Sequence, residues 1–271
     1  MKNKITQIAL VATLFFALSI SVVSAAKGTN PLDLVWAAIH DLEQQSDQNE
    51  ARFVALEARV AQLEASLDQF QQVVPCLRTD GADVYFEGCN VYIQNGSGVS
   101  DNSTNGLGNL IIGYNENYND NARDGSHNLV IGPNHTYTST GGIVAGQRNT
   151  IGALSASVLG GSGNIASGIS SVIMGGGGNI TRGNGSVVLG GMFNTTNGDN
   201  SAIVSGSQNE ANGNSSAVGA GKENSAQIDW SYVSGGIHNI AEGVASVVSG
   251  GSFRTATGAR DWVAGSLFQD E

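Results

Sequence analysis

From Val35 to Val74 the apolar residues recur in alternating steps of four and three. The positions are Val35, Ile39, Leu42, Ser46, Asn49, Phe53, Leu56, Val60, Leu63, Leu67, Phe70 and Val74, and only Ser46 and Asn49 are polar. A sustained 3.5-residue period is the seam of a coiled coil. With Ile39 at a and Leu42 at d, Arg52 and Arg59 fall at g, while Glu57 and Glu64 fall at e. In parallel neighbours g faces the e five residues on, so Arg52 meets Glu57 and Arg59 meets Glu64 across the interface. Seam and charges therefore predict a parallel stalk over residues 33–74, about 60 Å long at helical rise. Its core is Ile39, Leu42, Asn49, Phe53, Leu56, Val60, Leu63, Leu67 and Phe70. The pairs Ile39/Leu42 and Val60/Leu63 suit two chains, whereas bulky Phe53 and Phe70 favour a wider bundle.

Beyond Pro75 the period changes. Val158, Ile173, Val188, Ile203, Val218, Val233, Val248 and Val263 stand 15 residues apart and are always β-branched. Asn149, Asn164, Asn179, Asn194, Asn209, Asn224 and Asn239 keep the same step, as do glycine pairs such as Gly160-Gly161 and Gly190-Gly191. A fixed period of this length is the signature of a solenoid. By strand alternation the Val/Ile column points inward, joined by a second inward column at Ala166, Thr181, Thr196, Ala211, Ala226, Ala241 and Ala256. Each coil is predicted to be two strands of about five residues, with Gly and Asn at corners that need positive φ. One coil cannot bury enough to stand alone, so the coils must stack, with the Asn column as a structural hydrogen-bonded ladder. Residues 146–265 form this β-roll and 266–271 a tail. Residues 75–145 read as a neck, with strands expected at 83–87 and 90–94 around Cys89. Early, unequally spaced coils are expected at Asn109–Gly113 and Asn128–Gly132.

Composition supports a thin core: Gly is 38 of 271 residues, aromatics 6% and charged residues 13%, so few large side chains are present to fill a thick one. Residues 1–25 have the form of a secretory signal, with Lys2 and Lys4, an apolar run from Ile8 to Val23, and Val23-Ser24-Ala25 as the cleavage site. Removing both lysines takes the net charge from −11 to −13. Such a surface repels phosphate backbones and anionic lipid, so nucleic acid is no partner and no membrane span is expected after cleavage. An exported chain with two cysteines should join Cys76 to Cys89, a structural disulfide where stalk gives way to strand.

Catalytic constellations are missing. His40, His127, His135 and His238 are scattered, with only His127 and His135 able to meet on adjacent turns. Gly219-Ala-Gly-Lys222 carries Glu223 where a phosphate loop needs Ser or Thr. There is no nucleophile elbow, and the period fits neither the nonapeptide Ca²⁺ repeat nor a hexapeptide acyltransferase. No enzyme activity, cofactor or metal is expected.

The Ser-x-Val-x-Gly-Gly and Asn-x-Ala-x-Gly elements, best seen in Ser186–Gly198 and Ser201–Gly213, resemble the YadA-type head (hemagglutinin-like) repeats of trimeric autotransporter adhesins. The resemblance covers about residues 105–265. It implies left-handed parallel β-rolls, three side by side on a parallel trimeric stalk, and hence a homotrimer. Asn49 at d is similar to the anion-binding core layers of such stalks. Two features depart from the family. This repeat is 15 residues rather than 14 and follows its stalk, and the sequence closes at Phe268-Gln-Asp-Glu271 without barrel strands, so self-translocation and outer-membrane anchoring are not expected to carry over. The expected function is an extracellular or cell-surface, adhesin-head-like rod whose ligand is extracellular matrix or glycan. The alternatives are a non-adhesive structural component of a secreted or envelope assembly (periplasm included), or a carbohydrate- or ice-binding solenoid.

Overall fold

The computed structural model describes residues 30–101 and 103–265. The expected signal segment and the 266–271 tail lie outside the described residues. The chain divides into two units between Asn90 and Val91.

The first unit opens with one helix, α1, over Pro31–Val73. Asn30 caps it by accepting the Leu32 N–H at 3.2 Å, and Pro31 occupies the first turn, where its missing donor costs nothing. At the other end Val74 leaves helical geometry, its N–H still donating to the Phe70 carbonyl, and Pro75 cannot continue the ladder. Strands β1 (Leu77–Asp80) and β2 (Asp83–Phe86) then pair antiparallel. The strand expected at 83–87 is present as β2, but its partner is β1, whereas residues 90–94 form no strand, so the turn is Gly81-Ala82 rather than the region of Cys89. Gly81 has φ of +59°, and glycine at the first loop position suits a two-residue hairpin turn. Arg78 lies 3.9 Å over the Tyr85 ring opposite it and reaches Glu87 at 3.0 Å. The Cys76–Cys89 disulfide closes the open end of the hairpin, beyond the Leu77–Phe86 pair, where the Glu87 N–H also donates to the Cys76 carbonyl.

The second unit is a parallel β-solenoid. Two sheets run along it, of 11 and nine strands, and every neighbour in a sheet is the same segment of the next coil. Val187–Val188 pairs with Ala202–Ile203 in one sheet, and Thr195–Thr196 with Glu210–Ala211 in the other. Regular strand is only two residues long per face in the repeat, shorter than the five expected. A third parallel ladder of single bridges runs through Ser162, Gly177, Met192, Ser207, Lys222, Ile237 and Ser252. Fifteen residues divided among three pairing faces leave little room for longer strands. The first sheet begins at Leu110, inside the segment read as neck, and crosses residue 145 without a break. Leu110 pairs with Leu129, Leu129 with Ile143 and Ile143 with Ser157, steps of 19, 14 and 14 before the steps of 15 set in.

The core is one side chain thick. Val158, Ile173, Val188, Ile203, Val218, Val233 and Val248 are fully buried, while Val263 in the last described strand is only partly so. The Ala/Thr column at 166–256 is buried opposite them. A serine column (Ser171, Ser186, Ser201, Ser216, Ser231 and Ser246) also turns inward, and Thr196 Oγ1 donates to Ser186 Oγ at 3.0 Å.

The Asn column is not at the corners. Asn149–Asn239 are buried, and each Oδ1 accepts the backbone N–H of the next rung, as Asn194 does from Asn209 at 3.0 Å. The Nδ2 of Asn194 donates to the carbonyls of Gly190 and Gly206, tying two coils at once. Positive φ is instead met by the second glycine of each pair, such as Gly191 at +89°, and by unlike residues in two corner columns: Phe193, Gln208, Glu223, His238 and Phe253, and Asn200, Ser215, Trp230, Ala245 and Arg260. Those corner amides point backward, Phe193 N–H to the Gly177 carbonyl and Trp230 N–H to that of Asn214, whereas strand amides donate forward to the following coil. Stacking holds these residues in a conformation that costs an isolated residue of order 1 kcal/mol.

Candidate interaction faces

The two sheets differ in the chemistry they present to solvent. Outward positions of the first sheet, flanking the buried Val column, are Ser157/Leu159, Val172/Met174, Val187/Leu189 and Ala202/Val204. They continue as Ala217/Gly219, Tyr232/Ser234, Val247/Ser249 and Trp262/Ala264. Toward the start of the stack they are Leu110/Ile112, Leu129/Ile131 and Ile143/Ala145. None of them is charged. Leu159, Met174, Leu189 and Val204, in four successive coils, are each between 42% and 51% exposed, so a continuous apolar stripe faces outward. Such stripes on a soluble chain mark interaction surfaces.

The second sheet shows Ser167, Arg182, Asn197, Asn212, Gln227 and Glu242 after its inward column, and a mixed set before it, with Ile165, Ile180 and Ile240 beside Thr195, Glu210 and Ser225. Some of the polar side chains pair along the stack, Arg182 donating to Asn197 Oδ1 at 3.0 Å and Asn197 to Asn212 Oδ1, while Asn212 donates to Glu210 of its own coil at 3.0 Å. A second amide ladder, unnoticed in the sequence, runs along one corner. Asn184, Asp199, Asn214 and Asp229 each accept a backbone N–H from the preceding coil through Oδ1. Its signal, Asn or Asp every 15 residues, was hidden by the more regular buried column.

On α1 the seam residues Leu42, Phe53, Leu56, Val60, Leu63, Leu67 and Phe70 are exposed, Phe53 by 65%, and Asn49 is exposed with them. Ile39 is half-buried. Nothing within the helix covers these apolar side chains.

The histidines do not converge. His40 sits on α1 beside Glu43, and His238 stacks on Phe253 at 4.7 Å while bonding Glu223 at 2.9 Å. His127 and His135 are each committed to backbone groups of their own surroundings. Among the described residues no group of three or more His, Cys, Asp or Glu side chains could hold a metal ion. Lys222 pairs with Glu223 at 3.0 Å on the single-bridge face, not at a helix N-terminus where a phosphate would be cradled. Among the described residues no helix is long and apolar enough to cross a membrane. No protein-family model matches the chain, and no curated protein matches it.

Proposed function

We propose that this chain is an exported, homotrimeric, adhesin-head-like display rod, in which a coiled-coil stalk gathers three chains and a left-handed β-roll presents a repetitive surface. The observation that carries the reading is the uncharged outer face of the first sheet, which exposes Leu159, Met174, Leu189 and Val204 in register with the coils. A periodic apolar stripe on each of several parallel chains can pair with its copies, and the exposed heptad seam of α1 calls for the same parallel partners. The polar face of the second sheet remains for the outside world, where extracellular matrix or glycan is the ligand class. The Cys76–Cys89 disulfide supports an oxidising compartment, cell surface or extracellular. The early 14-residue steps support the likeness to YadA-type head repeats. Asn49 at d is the anion-binding layer of the stalk in this reading, and no enzyme chemistry is assigned.

A non-adhesive structural role in a secreted or envelope assembly is favoured by one observation. Arg182, Asn197, Asn212 and Glu210 satisfy one another along the polar face, leaving fewer groups for a ligand. Sedimentation with light scattering on the mature chain tests the trimer, and a monomer at micromolar concentration overturns it. Cell fractionation tests export, and binding of the trimer to matrix proteins and glycan arrays separates the adhesive from the structural reading.

A further inference from the structure

The buried ladder does not begin with asparagine. One rung before Asn149 stands His135, fully buried, and its ring performs the same two tasks. Nδ1 accepts the Asn149 N–H at 3.2 Å, as Asn149 Oδ1 accepts that of Asn164. Nε2 lies 3.0 Å from the Ile131 carbonyl four residues back, as Asn149 Nδ2 lies 2.7 Å from that of Ala145. A carbonyl needs a donor and an amide an acceptor, so this ring is neutral with its proton on Nε2. His127 shows the complementary arrangement. Its Nε2 accepts the Asn95 N–H at 3.2 Å and its Nδ1 lies 3.2 Å from the Ser100 carbonyl, which places the proton on Nδ1.

Asn95 is in turn the hub of the segment laid over the first coil. Its side chain donates to the Ser103 carbonyl and accepts from Ser97, and its carbonyl accepts from Asn105. Both rings thus lock early coils by accepting a backbone amide. A second proton on the His135 ring would set N–H against N–H. The rungs from Asn149 to Asn239 do the same work with a group that does not titrate.

We propose that His135 is an acid-sensitive latch, which releases residues 127–135 from the start of the solenoid while the asparagine-laddered coils stay closed. The ionisable group beside His135 is Arg123, which donates to the carbonyls of His135, Asn115 and Glu116. Burial holds the His135 ring below its ordinary value of 6.5, and the Arg123 charge adds to this, against carbonyl contacts that favour the charged ring. The unfolded chain takes up its proton near the ordinary value while the folded one resists. The contribution of His135 is therefore complete above that value and is lost as pH falls through the lower folded one.

Hydrogen exchange of the full chain, corrected for intrinsic rate, should show residues 127–135 losing protection by about tenfold between about pH 7 and about pH 5, with residues 165–245 unchanged. In His135→Asn the ladder's own side chain replaces the ring, so the response at 127–135 should vanish. Long-range ¹⁵N NMR on the unmodified chain should find the His135 ring neutral with its proton on Nε2. A uniform response along the solenoid, no response, the same response in His135→Asn, or a charged His135 ring at neutral pH would each overturn the latch.

Discussion

Helix α1 and the solenoid solve the backbone problem in opposite ways. Within α1 every interior amide finds its partner four residues back, so the helix needs no neighbour for its hydrogen bonds. Yet one chain leaves its seam at Phe53, Leu56, Leu63 and Phe70 in solvent. A solenoid coil is the reverse. Apart from a turn bond such as Ser186 N–H to the Gly183 carbonyl, its amides bond to the coils before and after it, while its apolar side chains at Val188 and Ala211 are wholly buried within the chain. Order in the helix is thus local in its hydrogen bonds, while burial of its seam is left unmet within the chain. Order in the roll depends on the stack.

The largest break in that contrast is Val188→Asp. An unpaired charge in a core one side chain thick should cost about 4 kcal/mol or more, and calorimetry should show the roll transition lost or far lowered. Met192→Asp, on the single-bridge face where the side chain is exposed, should stay within about 0.5 kcal/mol. Equal melting temperatures would mean that burial of the column does not hold the roll.

Next comes Gly191→Ala against Gly190→Ala. Gly191 has φ of +89° and an added Cβ would lie 2.1 Å from the Gly206 carbonyl, whereas Gly190 has open space around it. The first change should cost about 2–4 kcal/mol and the second under about 0.5, as measured by urea unfolding. Ser205 and Ala220 already occupy the Gly190 column in other coils, while Gly206 and Gly221 hold the Gly191 column.

Asn194→Ala should cost about 2 kcal/mol, because it leaves the Asn209 N–H and the Gly190 and Gly206 carbonyls without the amide they share. Leu63→Asp probes the other side of the comparison. On the proposed coiled-coil stalk it should lower the sedimentation coefficient and the helicity by circular dichroism while the roll melts as before. The most local effect is expected from reducing Cys76–Cys89. The loop it closes confines a stabilisation of up to about 3 kcal/mol to the hairpin, so exchange should rise at residues 76–89 and leave the solenoid unchanged. Loss of the whole fold on reduction would contradict the division into two units.

Much of this was legible in the residues themselves. A column that is always Val or Ile at 15-residue spacing can only be the inward one, because its neighbours range from Ser and Ala to Tyr232 and Trp262. Strand alternation supplies the rest. The end of the helix follows from Pro75, and two cysteines leave a single intrachain pairing. Other features were decided only when coils met. The glycine that is indispensable is the one facing a carbonyl of the next coil, the asparagines belong to the interior rather than the corners, and His135 is a rung of their ladder. Which backbone oxygen stands opposite a residue is set by a chain segment 14 or 15 positions away, and one coil's own sequence carries no record of it.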